Sequence, residues 1–195
     1  MSARLTGLTL ADAPSSWEAL GFALPVGLGG VALTLGAPGR GIMGWTLDGV
    51  PSAEVDGLPG AIGPAVPSGA RHPNGAIGLD HVVVTTPDFD RTSAALAAAG
   101  MPLRRVRRVG VRRQGFRRLG PAILEVVEAR DAAPGPAAFW GLVVVVSDLD
   151  ALAARLGERL GAVKPAVQPG RRIATLRREA GLGQAVAFMD PEPGR

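Results

Sequence analysis

Residues 79–100 and 139–157 carry the same succession of apolar and polar positions. The first stretch, LDHVVVTTPDFDRTSAALAAAG, opens on an apolar run, turns through two aspartates and continues into an alanine-rich helical pattern. The second, FWGLVVVVSDLDALAARLG, does the same. Each is followed, after an interval, by another apolar strand pattern: LGPAILEVVE at 119–128 and LGQAVAFMDP at 182–191. The continuous valine runs at 82–84 and 143–146 predict strands covered on both faces. Asp88 or Asp90 is placed to cap the first helix and Gly100 to stop it. Leu149, Leu152, Leu156 and Leu160 recur at helical spacing behind Asp148 or Asp150. Between helix and closing strand there is room for two more strands, at 103–109 and 112–118 in the first copy and at 163–168 and 172–177 in the second. Each copy therefore reads as a βαβββ unit.

The N-terminal residues repeat this order in a shorter, glycine-rich form. Leu5–Leu10 reads as a strand, Ser16–Leu20 as a brief helix, and Gly30–Leu35 and Ile42–Leu47 as further strands. This gives three regions: a degenerate βαβββ-like unit at 1–50, a Pro/Gly-rich connector at 51–76, and a two-unit domain at 77–191 (77–130 and 137–191). The fold class expected is α+β, with repeated βαβββ units forming a cupped mixed sheet. A lone N-terminal unit would leave a sheet edge uncovered, so either a homodimer or packing onto the main cup is expected.

Composition narrows the chemistry. The chain has 195 residues with no cysteine and no tyrosine, which excludes disulfides, thiolate catalysis and a phenolic acid. The lack of cysteine fits a cytoplasmic location. Residues 19–39 carry no ionic charge, but Pro25, Pro38 and glycines such as Gly21, Gly27, Gly29, Gly30 and Gly36 interrupt them, so neither a membrane span nor a membrane partner is expected. Of the 21 basic residues only Lys164 is a lysine, and the net charge is a modest +4.

Eight arginines cluster between Arg104 and Arg118, with Phe116 the one aromatic among them. Nucleic-acid binding would call for more interleaved aromatics or a recognition helix, and is not expected. Consecutive arginines on a strand point to opposite faces, so at least one of each pair is expected to face the concavity. Arg105, Arg107, Arg113, Arg117 and Arg172 are the candidates for binding a small anionic molecule. Glu125, inside the apolar strand AILEVV, is costly to bury unless paired, protonated or ligated. His81 shares a strand face with positions 83 and 85, and Glu125 shares one with 123 and 127.

LDHVVV, PDFDRT, ILEVVE and the second copy starting at VVVVSDLDAL resemble the vicinal oxygen chelate superfamily, the glyoxalase-like proteins. The resemblance covers residues 77–191 and, more weakly, 1–50. It implies two units closing around one site and makes His81 and Glu125 the matches to first-strand and last-strand metal ligands. One divalent metal (Zn, Fe, Mn, Ni or Co) is the cofactor implied, with His81 and Glu125 as catalytic residues. The second copy departs from the pattern: Gly141 falls opposite His81, and Phe188 or Ala187 opposite Glu125. His72 is the only other histidine that could complete a ligand set. The expected function is binding or transforming a small anionic oxygen-bearing molecule, as a metal-dependent lyase or isomerase. The alternative is a metal-free binding module of the drug-resistance type.

Overall fold

The computed structural model describes residues 2–65 and 71–193; residues 66–70 of the connector lie outside the described residues. Two mixed sheets make up the molecule. The N-terminal one contains β1 (Arg4–Leu10), β2 (Val26–Leu28), β3 (Val31–Thr34), β4 (Ile42–Asp48) and β5 (Gly60–Ile62), with the short helix α1 (Pro14–Glu18) after β1. The second begins with β6 (Ala76–Thr86), helix α2 (Phe89–Ala98), β7 (Arg105–Val109), β8 (Arg112–Leu119) and β9 (Ala122–Glu128). It continues with β10 (Ala138–Val146), helix α3 (Leu149–Leu156), β11 (Lys164–Pro165), β12 (Arg172–Thr175) and β13 (Ala185–Met189). Both βαβββ units expected from the repeat are thus present. The outer strand of the second is cut to two residues, in a segment where Pro165 and Pro169 remove ladder donors.

The eight-stranded sheet runs in the order β11-β12-β13-β10-β6-β9-β8-β7. Its two units meet where β6 and β10 pair antiparallel, and within each unit the first strand lies parallel to the last, β6 to β9 and β10 to β13. The helices begin alike: the Asp88 carboxylate accepts from the Arg91 backbone N–H at 3.0 Å, and Asp148 from Ala151 at 2.9 Å. Each side chain satisfies one of the amides left open in the first turn.

The N-terminal element order β1-α1-β2-β3-β4 is βαβββ, as the sequence suggests, but its sheet reaches beyond residue 50 to recruit β5 from the expected connector. Its order, β2-β3-β1-β4-β5, reproduces the central strands β8-β9-β6-β10-β13 of the larger sheet. The senses agree too: β1 is parallel to β3 and antiparallel to β4, and β4 is parallel to β5. β5 is a fully exposed Gly-Ala-Ile, so no hydrophobic period announces it.

One apolar core joins the two sheets. It takes Leu5, Leu8, Trp17 and Trp45 from the N-terminal part, and Val82, Val84, Leu124, Val126, Leu142, Val144 and Phe188 from one face of the larger sheet. Phe22 bridges them, with its ring against Trp17, His72 and Phe188. The described part of the connector is pinned at several points. Arg91 Nε donates to Asp56 at 2.7 Å, the Asn74 amide donates to the Leu20 carbonyl, and His72 is held at both ring nitrogens. Among the described residues no helix is long and apolar enough to cross a membrane; the uncharged stretch 19–39 holds β2 and β3 instead.

Candidate functional site

With one face of the large sheet committed to the core, strand alternation leaves positions 123 and 125 of β9, 114 and 116 of β8 and 143 of β10 on the other face. These residues line a cavity of about 810 Å³ to which both units contribute. His81 of β6, Ile173 of β12 and Met189 of β13 also line it, and the loop from Lys164 to Pro169 forms one wall. β6 pairs His81 with Ile123 and Val83 with Glu125, so His81 and Glu125 stand two residues apart on adjacent strands of the cup floor.

The predicted arginines divide. Arg105 and Arg107 line the cup; in the β7–β8 register they oppose Phe116 and Gln114, and Phe116 in turn opposes Glu125. Arg107 lies over the Phe116 ring at 5.0 Å and its Nε donates to Gln114 at 2.8 Å. Arg117 also borders the cavity, although its register partner is the core residue Leu124. Arg113 and Arg172, by contrast, are not cup residues. Arg113 lies over Phe89 at 4.6 Å and is held by Asp90 and Glu128 at 2.7 and 2.9 Å. Arg172 is held by Asp150 and Asp190 at 3.0 and 2.8 Å. The expectation of at least one cup-facing arginine in each adjacent pair fails at two pairs: none of Arg112, Arg113, Arg171 and Arg172 lines the cavity, and the carboxylates Asp90, Glu128, Asp150 and Asp190 hold Arg113 and Arg172 away from it.

Arg171, the strand neighbour of Arg172, is almost fully buried but does not line the cup either. Its Nη2 donates to Asp80 at 2.7 Å and its Nε to the Asp190 carbonyl at 2.7 Å. The other Asp80 oxygen lies 2.5 Å from Nδ1 of His81. Burial alone would raise the Asp80 carboxyl, but hydrogen bonds from His81 and Arg171 outweigh it and hold the group below its ordinary value. Glu125 goes the other way. Burial in the cup raises it, only partly opposed by the neighbouring His81 and Arg107. Sequence reasoning missed Asp80; the only signal was a carboxylate adjoining the histidine in an otherwise apolar strand. Arg104, Arg118 and Lys164 also line the cup. Their side chains form no ion pair among the described residues.

The donor set for a metal is incomplete. Among the described residues, no group of three or more His, Cys, Asp or Glu side chains could hold an ion. The counterparts of His81 and Glu125 in the second unit are Gly141 and Ala187, since Gly141 pairs with Val83 and Ala185, and Val143 with His81 and Ala187. Phe188, the other position the sequence allows opposite Glu125, points into the core. At Gly141 even a Cβ would fall 2.5 Å from the Ala185 carbonyl oxygen, so no ligating side chain fits. His72 does not supply the missing ligand either. Its Nδ1 accepts from the Ala23 N–H at 3.1 Å and its Nε2 meets the Gly27 carbonyl at 2.9 Å, both inside the N-terminal packing. His81 and Glu125 alone do not amount to the three protein ligands of a usual catalytic site.

No protein-family model and no curated protein matches the chain. Solved structures do. A mutant of 4-hydroxymandelate synthase from Streptomyces coelicolor aligns over 98% of this chain and 93% of its own, with a TM-score of 0.67 at 15% identity. Methylmalonyl-CoA epimerase from Mycobacterium tuberculosis aligns over 61% of this chain and 91% of its own, with a TM-score of 0.50 at 23% identity. Both are vicinal oxygen chelate proteins, and the chain has that superfamily's fold.

Proposed function

We propose that the cup binds a small anionic, oxygen-bearing molecule, and that Glu125 and His81 exchange a proton with it without a resident metal ion. One observation carries this reading: a carboxyl whose ionisation is suppressed by burial faces an imidazole in a cavity ringed by Arg104, Arg105, Arg107, Arg118 and Lys164. Arg107 makes no ion pair with Glu125 and can meet an incoming carboxylate or phosphate oxygen, with the guanidinium already steadied by Phe116 and Gln114. Once bound, an anion near Glu125 pushes the carboxyl further toward its neutral form, in which it can donate a proton or a hydrogen bond. The two donors on the floor are too few to hold a metal unaided, so the chemistry assigned to the cup runs through Glu125 and His81.

A binding-only role is the second reading, and the blank second unit favours it: Gly141 and Ala187 place no acid, base or ligand opposite the first. Calorimetric titration with small carboxylates and phosphates, before and after chelation, tests the proposal. Saturable, salt-sensitive binding that survives chelation and is lost in Arg107→Ala supports it. Binding that appears only when a divalent metal is added would overturn the metal-free reading. Exchange of a ligand C–H proton with solvent, lost in Glu125→Gln, would distinguish the acid–base role from binding alone.

A further inference from the structure

His81 lines the cup and is contacted from behind by Asp80. In the β6–β10 ladder Val143 pairs with His81 and Val144 with Leu79, so Asp80 is skipped. This is a β-bulge, and it breaks the alternation that would send adjacent side chains to opposite faces. Asp80 and His81 meet as a result, with a carboxylate oxygen 2.5 Å from Nδ1. Arg171 closes the arrangement from the far side: 5% exposed, it donates to the other Asp80 oxygen and anchors itself on the Asp190 carbonyl. Paired with the Arg171 guanidinium, Asp80 serves as a carboxylate, which only accepts hydrogen bonds.

An imidazole that carries its proton on Nδ1 turns it toward the Asp80 oxygen beside it, which is buried and otherwise unpartnered, and leaves Nε2 as an acceptor. Among the described residues Nε2 has no hydrogen-bond partner, and His81 lines the cup. The floor therefore offers an acceptor beside Arg107 and Arg105, which can only donate. His72 is locked the opposite way: its Nδ1 accepts from a backbone N–H, so its Nε2 must donate to the Gly27 carbonyl.

We infer that the Asp80–Arg171 pair is a positioning element that makes the cup selective for anions carrying a hydroxyl or enol hydrogen. The charged oxygens meet the arginines while the hydroxyl donates to Nε2 of His81. A hydroxy acid satisfies both; the same acid without its hydroxyl leaves the acceptor to water. This rests on the anion-binding reading of the cup.

Two measurements test it. Histidine labelled with ¹⁵N gives two ring systems, and His81→Gln assigns them by the signals it removes. At neutral pH, long-range proton–nitrogen correlations should show His81 protonated on Nδ1 and His72 on Nε2. A His81 protonated on Nε2, or averaged between tautomers, overturns the inference with no variant or ligand needed. The second measurement compares matched pairs, glycolate with acetate and malate with succinate. The hydroxy acid should bind about fivefold tighter, roughly the net contribution of one added hydrogen bond. In Asp80→Asn, checked for folding by its thermal transition, that preference should fall to within about twofold. Equal binding of both members of each pair by the wild type overturns this inference alone, whereas binding of neither overturns the anion-binding reading beneath it.

Discussion

Arg113 and Arg172 are counterparts across the duplication. Each joins the second aspartate after its unit's opening strand, Asp90 or Asp150, to a carboxylate at the end of the closing strand, Glu128 or Asp190. The two aspartates of the repeated Asp-x-Asp thus have separate roles, the first capping the helix and the second clasping the sheet. Arg113→Ala and Arg172→Ala should lower the melting temperature while leaving affinity for a cup anion within about twofold of wild type. Arg107→Ala should do the reverse, weakening binding about tenfold or more with little change in melting. A large binding defect in Arg113→Ala would contradict this separation.

Glu128 gives the first clasp a pH signature. Hydrogen bonds from Arg113, opposed by burial, lower its carboxyl from 4.5 to about 2. A depressed carboxyl stabilises the fold fully above its unfolded value and loses that contribution as pH falls through the folded one. The stability lost in Glu128→Gln should therefore be largest at neutral pH, shrink below about 4.5 and vanish near 2. Parallel thermal melts of both proteins across this range provide the check.

Glu125 carries the opposite sign. Because burial raises its carboxyl above 4.5, the charged form opposes folding at neutral pH, and the opposition fades as pH falls through the folded value toward 4.5. Glu125→Gln should accordingly be more stable than wild type at pH 7, with the gain disappearing in acid. The same substitution should abolish proton exchange with ligand. Such a pairing of lost chemistry with gained stability is expected of a site residue and not of a structural one.

Gly141 tests whether the second unit could ever have held a ligand in this geometry. A Cβ there meets the Ala185 backbone at 2.5 Å. Gly141→Ala should destabilise the protein by about 1–3 kcal/mol, seen as a lower midpoint in urea. Gly141→His should be worse and should not create a metal site. Stable metal uptake by the histidine variant would show that β10 and β13 can move apart.

Much of this architecture was legible in the pattern of residues. The valine runs, the capping aspartates and the helical leucines mark both units, and alternation along AILEVV puts Glu125 opposite the core. Alternation fails where the chain breaks it. Asp80 sits in a bulge, so no count of odd and even positions could bring it to His81. The arginine pairs were not legible from alternation: Arg104 and Arg105 both line the cup, while neither Arg112 nor Arg113 does, because Asp90, Glu128, Asp150 and Asp190 hold Arg113 and Arg172 elsewhere. His72 illustrates the same limit: its two partners are backbone groups of Ala23 and Gly27, which carry no side-chain signature.

Phe22, wedged between Trp17, His72 and Phe188, has a consequence for how the molecule comes apart. The N-terminal sheet is not a detachable accessory. Cutting the chain after residue 62 would strip the lining from Phe188 and open the back of the strands that form the cup floor. The whole chain should therefore melt as a single calorimetric transition, with the binding cavity lost at the same temperature as the sheet behind it.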